Sequence, residues 1–345
     1  MGGARLVLKR AWRSVGRALL AIAGLGLVAA LVRSAGPQRV AHVLWAARGW
    51  LPLLLALEMF QPVGDVIALR VLLGRPRTDV PMRAWLRSSA IAYSMMTLLP
   101  AGRGAGEIAR ASLLSRHVGG PRAAGASIRL QSAYTFAIAL FALTECAVVA
   151  TAPGGGSALA LLLAADAVVL AVVASGLLAA LRHPRLEKWL ERLSRPLGPP
   201  GPPVRLDVAE AVRRPLPAGA TSICCLARAA QVVQYGAVLR AVGGAWGVRG
   251  ALLAHGIHLV GSTVGDVVPN QMGIVDGAYR AFARNIGLSD APARALSIAF
   301  LVHIVQLIAA AAGILVAALC DRIGPPPIAA LHVSEDDPQP QTPAR

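Results

Sequence analysis

Acidic residues are scarce in this chain. Only 17 Asp and Glu stand against 34 Lys and Arg, and charged residues of both signs make up 15% of 345 positions, where water-soluble domains carry about 25%. With 56% apolar residues and a mean hydropathy of +0.60, water is not the main solvent of the folded chain. Aromatics amount to 4%, and the arginines are scattered through short connections rather than gathered into one aromatic-interleaved basic surface. That pattern excludes a basic surface tracking a nucleic-acid backbone and makes anionic lipid the expected partner for the net charge of +17. Of only four cysteines, Cys146, Cys224 and Cys225 lie inside apolar segments and Cys320 ends one, so neither a disulfide framework nor metal-ligand spacing is present. There is no HExxH or CxxC pattern, and His255 and His258 have no third ligand near in sequence. No metal, cofactor or catalytic residue set is therefore expected, and the chain is not read as an enzyme.

What is abundant is apolar length. Crossing a hydrocarbon core of about 30 Å takes about 20 mostly apolar residues in a helix. Such stretches fall near residues 15–33, 50–73, 84–100, 124–151, 157–181, 217–241, 250–268 and 293–319. The expected fold is all-α, a polytopic membrane helix bundle of about eight hydrophobic segments within residues 1–323. Lys9, Arg10, Arg13 and Arg17 precede the first apolar run, which reads as an uncleaved helix starting in the cytoplasm. A Pro-rich linker occupies 196–217, and 324–345 reads as a disordered Pro-rich tail.

Eight simple crossings would put the loop 182–216 outside, with Arg182, Arg185, Lys188, Arg192, Arg195, Arg205, Arg213 and Arg214 on it. That violates the positive-inside rule. The conflict disappears if 84–122 dips into the membrane and returns to the same side; the basic loop is then cytoplasmic and the uncharged turn from Ala152 to Ser157 lies outside. A second dipping element fits at 250–290. The first break, residues 98–119, runs Leu98-Leu99-Pro100-Ala101-Gly102-Arg103-Gly104-Ala105-Gly106-Glu107-Ile108-Ala109-Arg110; the second, 267–287, runs Val267-Val268-Pro269-Asn270-Gln271-Met272-Gly273-Ile274-Val275-Asp276-Gly277-Ala278-Tyr279-Arg280. Each places an acid seven residues after the proline and a basic residue one turn later, and each helix then closes on glycine, Gly119 or Gly287. Two re-entrant or broken helices in an inverted internal repeat are expected, as around the central sites of many transporters.

Pro100, Arg103, Gly106, Glu107 and Arg110 carry a resemblance: the chain is similar to the transmembrane region of lysylphosphatidylglycerol synthases and its stand-alone, flippase-like relatives, whose theme is Pro-x-Arg-x-Gly-Glu-x-x-Arg, here with one extra residue. In the second break Pro269 and Gly273 match, while Asp276 stands where the family usually has Glu. Arg129 is kept in the following span, but Ile128 and Ser132 replace the family's acids. The similarity spans most of residues 15–320 and implies lipid handling in the cell inner (cytoplasmic) membrane. Nothing in the 345 residues matches the family's soluble aminoacyl-transferase domain, so lipid aminoacylation is not expected.

Ionisable groups inside spans are costly and face a cavity or a partner. Here they form stripes at helical spacing: Glu58, Gln61 and Asp65; His255, His258, Ser262 and Asp266; Arg228, Gln231 and Gln234; Arg129, Ser132 and Thr135. Together they describe a polar groove with both signs of charge. In the first break, free N–H groups at a helix start form a seat for phosphate or carboxylate, to which Arg103 adds charge; the alternative is a helix cap with a local Glu107–Arg110 pair. Substrate contacts are thus expected at Arg103, Gly106, Glu107, Arg110, Arg129, Arg228, Asp276 and Arg280, and a groove lining at Glu58, Asp65, His255, His258 and Asp266. Glu145 and Asp166 stand outside every stripe; the expected role of each is a packed, protonated or hydrogen-bonded acid, with a carrier of a coupling proton as the alternative. The reading is a lipid translocase or lipid-binding protein for a phospholipid or polyprenyl-phosphate headgroup. A membrane glycosyltransferase or other lipid-modifying enzyme, with Glu58 and Asp65 as its acids, and a small-solute transporter are the alternatives.

Overall fold

The computed structural model describes residues 22–74, 80–100, 102–151, 158–181 and 217–323. The basic N-terminal stretch, the turn 152–157, the loop 182–216 and the tail lie outside them, and with them the linker and tail expectations. Among the described residues every regular element is helical. Helix α1 spans Ile22–Ala35; α2 is Pro37–Ala47, α3 Leu51–Glu58, α4 Phe60–Leu73, α5 Met82–Leu98, α6 Gly102–Val118 and α7 Gly120–Ala150. Then come α8 (Ala158–Leu181), α9 (Ala218–Ala241), α10 (Val248–Gly265), α11 (Ile274–Ala281) and α12 (Pro292–Ile323).

Five of the described stretches are long and apolar enough to cross a membrane: Pro37–Leu73, Gly120–Ala150, Ala158–Ala180, Ala218–Ala241 and Pro292–Arg322. Large apolar side chains such as Leu161, Val168, Val172, Phe136, Leu140 and Leu315 are about half exposed or more. In water they would form an apolar surface far beyond what soluble monomers tolerate; against acyl chains they cost nothing. The 84–100 and 250–268 segments are not among these five stretches. They are α5 and α10, the first arms of two hairpins.

Contacts fix the direction of each helix. Arg87 of α5 pairs with Asp321 of α12 at 2.8 Å, and Ser94 Oγ donates to the Ala310 carbonyl at 2.8 Å, so α5 and α12 run antiparallel. The Cys146 thiol reaches the Ala160 carbonyl at 3.3 Å, closing α7 and α8 into a hairpin. Two buried apolar clusters then define the ends of the bundle. Trp85, Leu114, Val118, Ala123 and Ala126 gather the start of α5, the end of α6 and the start of α7. Leu253, Tyr279, Ala283, Val149 and Leu159 gather the start of α10, α11, the end of α7 and the start of α8. The α5–α6 and α10–α11 hairpins therefore enter from opposite ends.

Between the clusters the buried surface turns polar. Along α3 and α4, Leu54 belongs to one cluster and Ala68 to the other, with Glu58, Gln61 and Asp65 between them. Along α9, Ala220 and Cys224 give way to Arg228 and Gln231 and then to Tyr235 and Val238. Each helix thus buries apolar surface at both ends and a polar stripe in the middle.

The three glycines of the first break sit within the first turns of α6, and two of them face α5. A Cβ on Gly102 would stand 2.4 Å from the Met96 carbonyl oxygen, and one on Gly106 would stand 2.6 Å from that of Ala92. These glycines let two backbones touch. Gly104 meets nothing within 4 Å. Gly106→Ala is accordingly expected to destabilise by about 1–3 kcal/mol through overpacking, whereas Gly104→Ala gains about 0.5–1 kcal/mol of helix propensity. Thermal melts of the purified variants in detergent check this; equal melting temperatures would refute the close-packing role.

Candidate functional site

The hairpin tips meet at the centre of the bundle. The first tip is the turn after α5, where Leu99 leaves the helix in extended conformation ahead of Pro100. The second is built more tightly. Pro269–Gln271 form a single 3-10 turn in which Asn270 (φ 49) and Gln271 (φ 57) are left-handed, the only such non-glycine residues among those described. Backbone held in that region by a long side chain such as Gln is costly, and such positions cluster at functional sites. Gly273 follows at φ 84, and its N–H donates to Asp276 Oδ2 at 2.7 Å, which starts α11. Across the gap between the tips Arg103 Nε lies 3.7 Å from Asp266 Oδ1.

One cavity joins these parts, with about 80 Å³ open to water-sized groups. Glu58, Gln61 and Asp65 line it from α3 and α4; Tyr93, Thr97 and Leu99 from α5; Arg103 and Glu107 from α6. From the other side come Gln131 and Tyr134 of α7, Arg228 and Gln231 of α9, and His258, Ser262 and Asp266 of α10; Asn270 and Gln271 of the second tip close it with Gln306 of α12.

Most of its charge is held in place. Arg110 has no exposed surface; its Nη2 donates to Asp65 Oδ2 at 2.8 Å and its Nη1 to Glu107 Oε1 at 2.9 Å. Asp65 and Glu107 thus present their other faces to the cavity from fixed positions. Glu58 accepts from the Tyr93 hydroxyl at 2.5 Å and from Gln234 Nε2 at 2.8 Å. Arg228 is different. It is buried, its guanidinium lies 4.2 Å above the Tyr134 ring and one amine donates to Gln231, whose own amide donates to Gln61 Oε1 at 2.9 Å. Among the described residues no carboxylate lies within ion-pair distance of it, so it is a buried cation held by a ring and an amide.

Of the residues expected from sequence, Arg103, Glu107, Arg228, Glu58, Asp65, His258 and Asp266 line this cavity. Arg110 stands directly behind it. The glycines of the first break serve the contact with α5 rather than a loop around an anion, although the Glu107–Arg110 pair forms as its spacing implied. Arg129 is buried in α7 away from the lining, and Ser132 bonds its own helix at Ile128, so the α7 face turned to the cavity is Leu130, Gln131 and Tyr134 instead. His255 is turned away, with its Nδ1 2.5 Å from Glu145 Oε1. Asp276 is fully buried as the cap of α11 and lies 3.3 Å from His303 Nε2, and Arg280 is exposed. Tyr93, Tyr134, Asn270, Gln271 and Gln306 were not anticipated. The tyrosines had one signal, since a buried hydroxyl in an apolar segment needs a partner.

Lipid-facing helices around a polar centre, entered by two opposed broken hairpins, define a multi-pass integral membrane protein with an internal polar site. The chain belongs to the family of the lysylphosphatidylglycerol synthase TM region, whose pattern matches residues 16–313. No curated protein and no solved structure matches it.

Proposed function

We propose that the protein moves a phosphate-bearing lipid headgroup, of a phospholipid or a polyprenyl phosphate, between the two leaflets. The observation that carries this reading is Arg228: a buried cation facing a shared cavity with no carboxylate partner is a standing site for an anion. The polar and charged lining of the cavity suits a headgroup and leaves acyl chains outside it. Leu98, Leu99, Val264 and Val267, exposed by 39–64%, flank the Arg103–Asp266 pair, itself one-third to two-fifths exposed. A polar mouth with an apolar rim lets a headgroup enter sideways while its chains stay in lipid. The opposed hairpins correspond in order and packing, α5 lying on α12 as α10 lies on α7. This agrees with an inverted repeat whose tips open alternately to each face. In the cytoplasmic membrane we expect the end where α5 starts and α6 finishes to face inward, because α9 begins there and the sequence connecting α8 to it carries eight basic residues.

The test is leaflet exchange. Purified protein in phosphatidylcholine vesicles containing acyl-labelled phosphatidylglycerol should speed bleaching of inner-leaflet label by an impermeant reductant severalfold over protein-free vesicles, and mass spectrometry should find the lipid unaltered. Absence of exchange overturns the reading. A chemically changed lipid, formed only when Glu58 and Asp65 are intact, replaces it with the lipid-modifying enzyme.

A further inference from the structure

Beside the cavity lies a second set of polar groups that phosphate binding does not use. His255 and His258 stand one turn apart on α10. His258 lines the cavity and His255 lies beyond it, toward the end of the bundle where α7 finishes. The Tyr235 ring packs against both, with centroids 5.4 Å from His255 and 4.8 Å from His258. Glu145, which has no exposed surface, brings Oε1 to 2.5 Å from His255 Nδ1. Its other oxygen rests on the α10 backbone at Gly256, where a Cβ would stand 3.1 Å away, so the glycine is what lets the carboxylate come so close.

The free valences matter most. Glu145 Oε2, His255 Nε2 and His258 Nδ1 are all buried and have no hydrogen-bond partner among the described residues. A buried polar atom left unpaired is costly, so its retention calls for a role. All three sit on groups that exchange protons, and these groups trace a line in which His258 meets the cavity, its neighbour one turn away is His255, and His255 meets Glu145 near the end of α7. Glu145 is five residues from that end at Ala150, about 8 Å of helix. The other ionisable groups around the line are Arg228 and Tyr235 from α9, Asp166 from α8, Asp276 and Tyr279 from α11, His303 from α12, Glu58 from α3 and Arg103 from α6. None of them is bonded to His255 or His258.

We propose that His258, His255 and Glu145 form a proton site coupled to headgroup movement, so that an anionic headgroup crosses together with one proton. This rests on the translocase reading. An anionic phosphate entering beside Arg228 adds one negative charge to a low-dielectric interior, and a proton taken up a few ångströms away cancels it. The balance is simple. One N–H bond forms at His258 or His255 on the cavity side, the proton shifts along the His255–Glu145 hydrogen bond, and one O–H or N–H bond breaks on release; no bond of the lipid changes. With Glu145 ionised the pair carries −1 when His255 is neutral and zero when it is protonated, so the site alternates between two charge states.

The same vesicles test this with a pH-sensitive dye trapped inside. For the wild type, an imposed gradient of about one pH unit should drive labelled phosphatidylglycerol toward one leaflet by up to about tenfold, since one proton per lipid sets that limit, and the dye should report proton entry that requires the anionic lipid. Glu145→Gln and His255→Asn should abolish the gradient response and the proton signal while exchange without a gradient persists. The double variant Glu145→Gln/His255→Asn keeps a neutral hydrogen-bonded pair and so preserves the fold if a single change does not. Wild-type exchange indifferent to the gradient overturns the coupling and leaves the translocase reading standing. Variants slowed equally with and without a gradient also overturn it, because the pair is then only structural. No exchange in the wild type removes the translocase reading and this inference with it.

Discussion

Replacing Arg110 by alanine is expected to lower stability by about 3–5 kcal/mol, the usual cost of breaking a buried ion pair from one side. The guanidinium has no exposed surface and joins α6 to α4 through Asp65 while holding Glu107 in its own helix. Without it, two carboxylates remain in the interior with no cation between them. Such a change should show as poor accumulation in the membrane and a lower melting temperature in detergent. The control is the triple variant Arg110→Met/Asp65→Asn/Glu107→Gln, which removes all three charges and should recover most of the loss, because a buried charge set is often no more stable than a neutral one of similar volume. If Arg110→Ala alone melts like the wild type, the ion-pair set is not what ties α6 to α4.

Arg228→Ala is expected to act in the opposite way, costing activity rather than stability. Arg228 has a ring and an amide for partners and no acid within ion-pair distance, so its removal breaks no ion pair. What it removes is the charge that a phosphate would meet. A hydrogen bond to a charged group contributes about 1.5–3 kcal/mol, which corresponds to roughly a 10–100-fold loss of headgroup exchange. Arg228→Lys should fall between, since an ammonium keeps the charge but loses the planar stacking on Tyr134. Exchange rates in vesicles, read beside melting temperatures, decide the matter: unchanged exchange in Arg228→Ala would remove the anion site from the cavity.

Three of the four polar stripes were legible because a helical stripe is a local property. The spacing of Glu58, Gln61 and Asp65, or of Arg228 and Gln231, puts them on one face whatever the neighbours are, and both faces line the cavity. The same argument failed on α7. That helix is 31 residues long and buried over much of its length, so more than one of its faces is turned inward and periodicity does not say which meets the polar centre. Arg129, Ser132 and Thr135 share a face, but Gln131 and Tyr134 on the adjacent one reach the cavity. The second stripe divided for a related reason: His258, Ser262 and Asp266 face the cavity while His255 turns to Glu145.

The sequence by itself determined that the chain lives in a membrane, since its apolar runs leave no alternative solvent, and that two of those runs are broken, since proline ends a helix and glycine lets the chain turn. It also determined the family, whose pattern lies in contiguous residues. Only the tertiary structure decided that the two tips meet across an Arg103–Asp266 contact, that Glu107 faces the cavity while Asp276 caps a helix, and that Glu145, an acid outside every stripe, has a histidine for a partner. The reason is range: caps, breaks and stripes depend on residues within a turn or two, whereas the partner of a buried charge is chosen by the packing of helices more than a hundred residues apart in the chain, as Glu145 and His255 are.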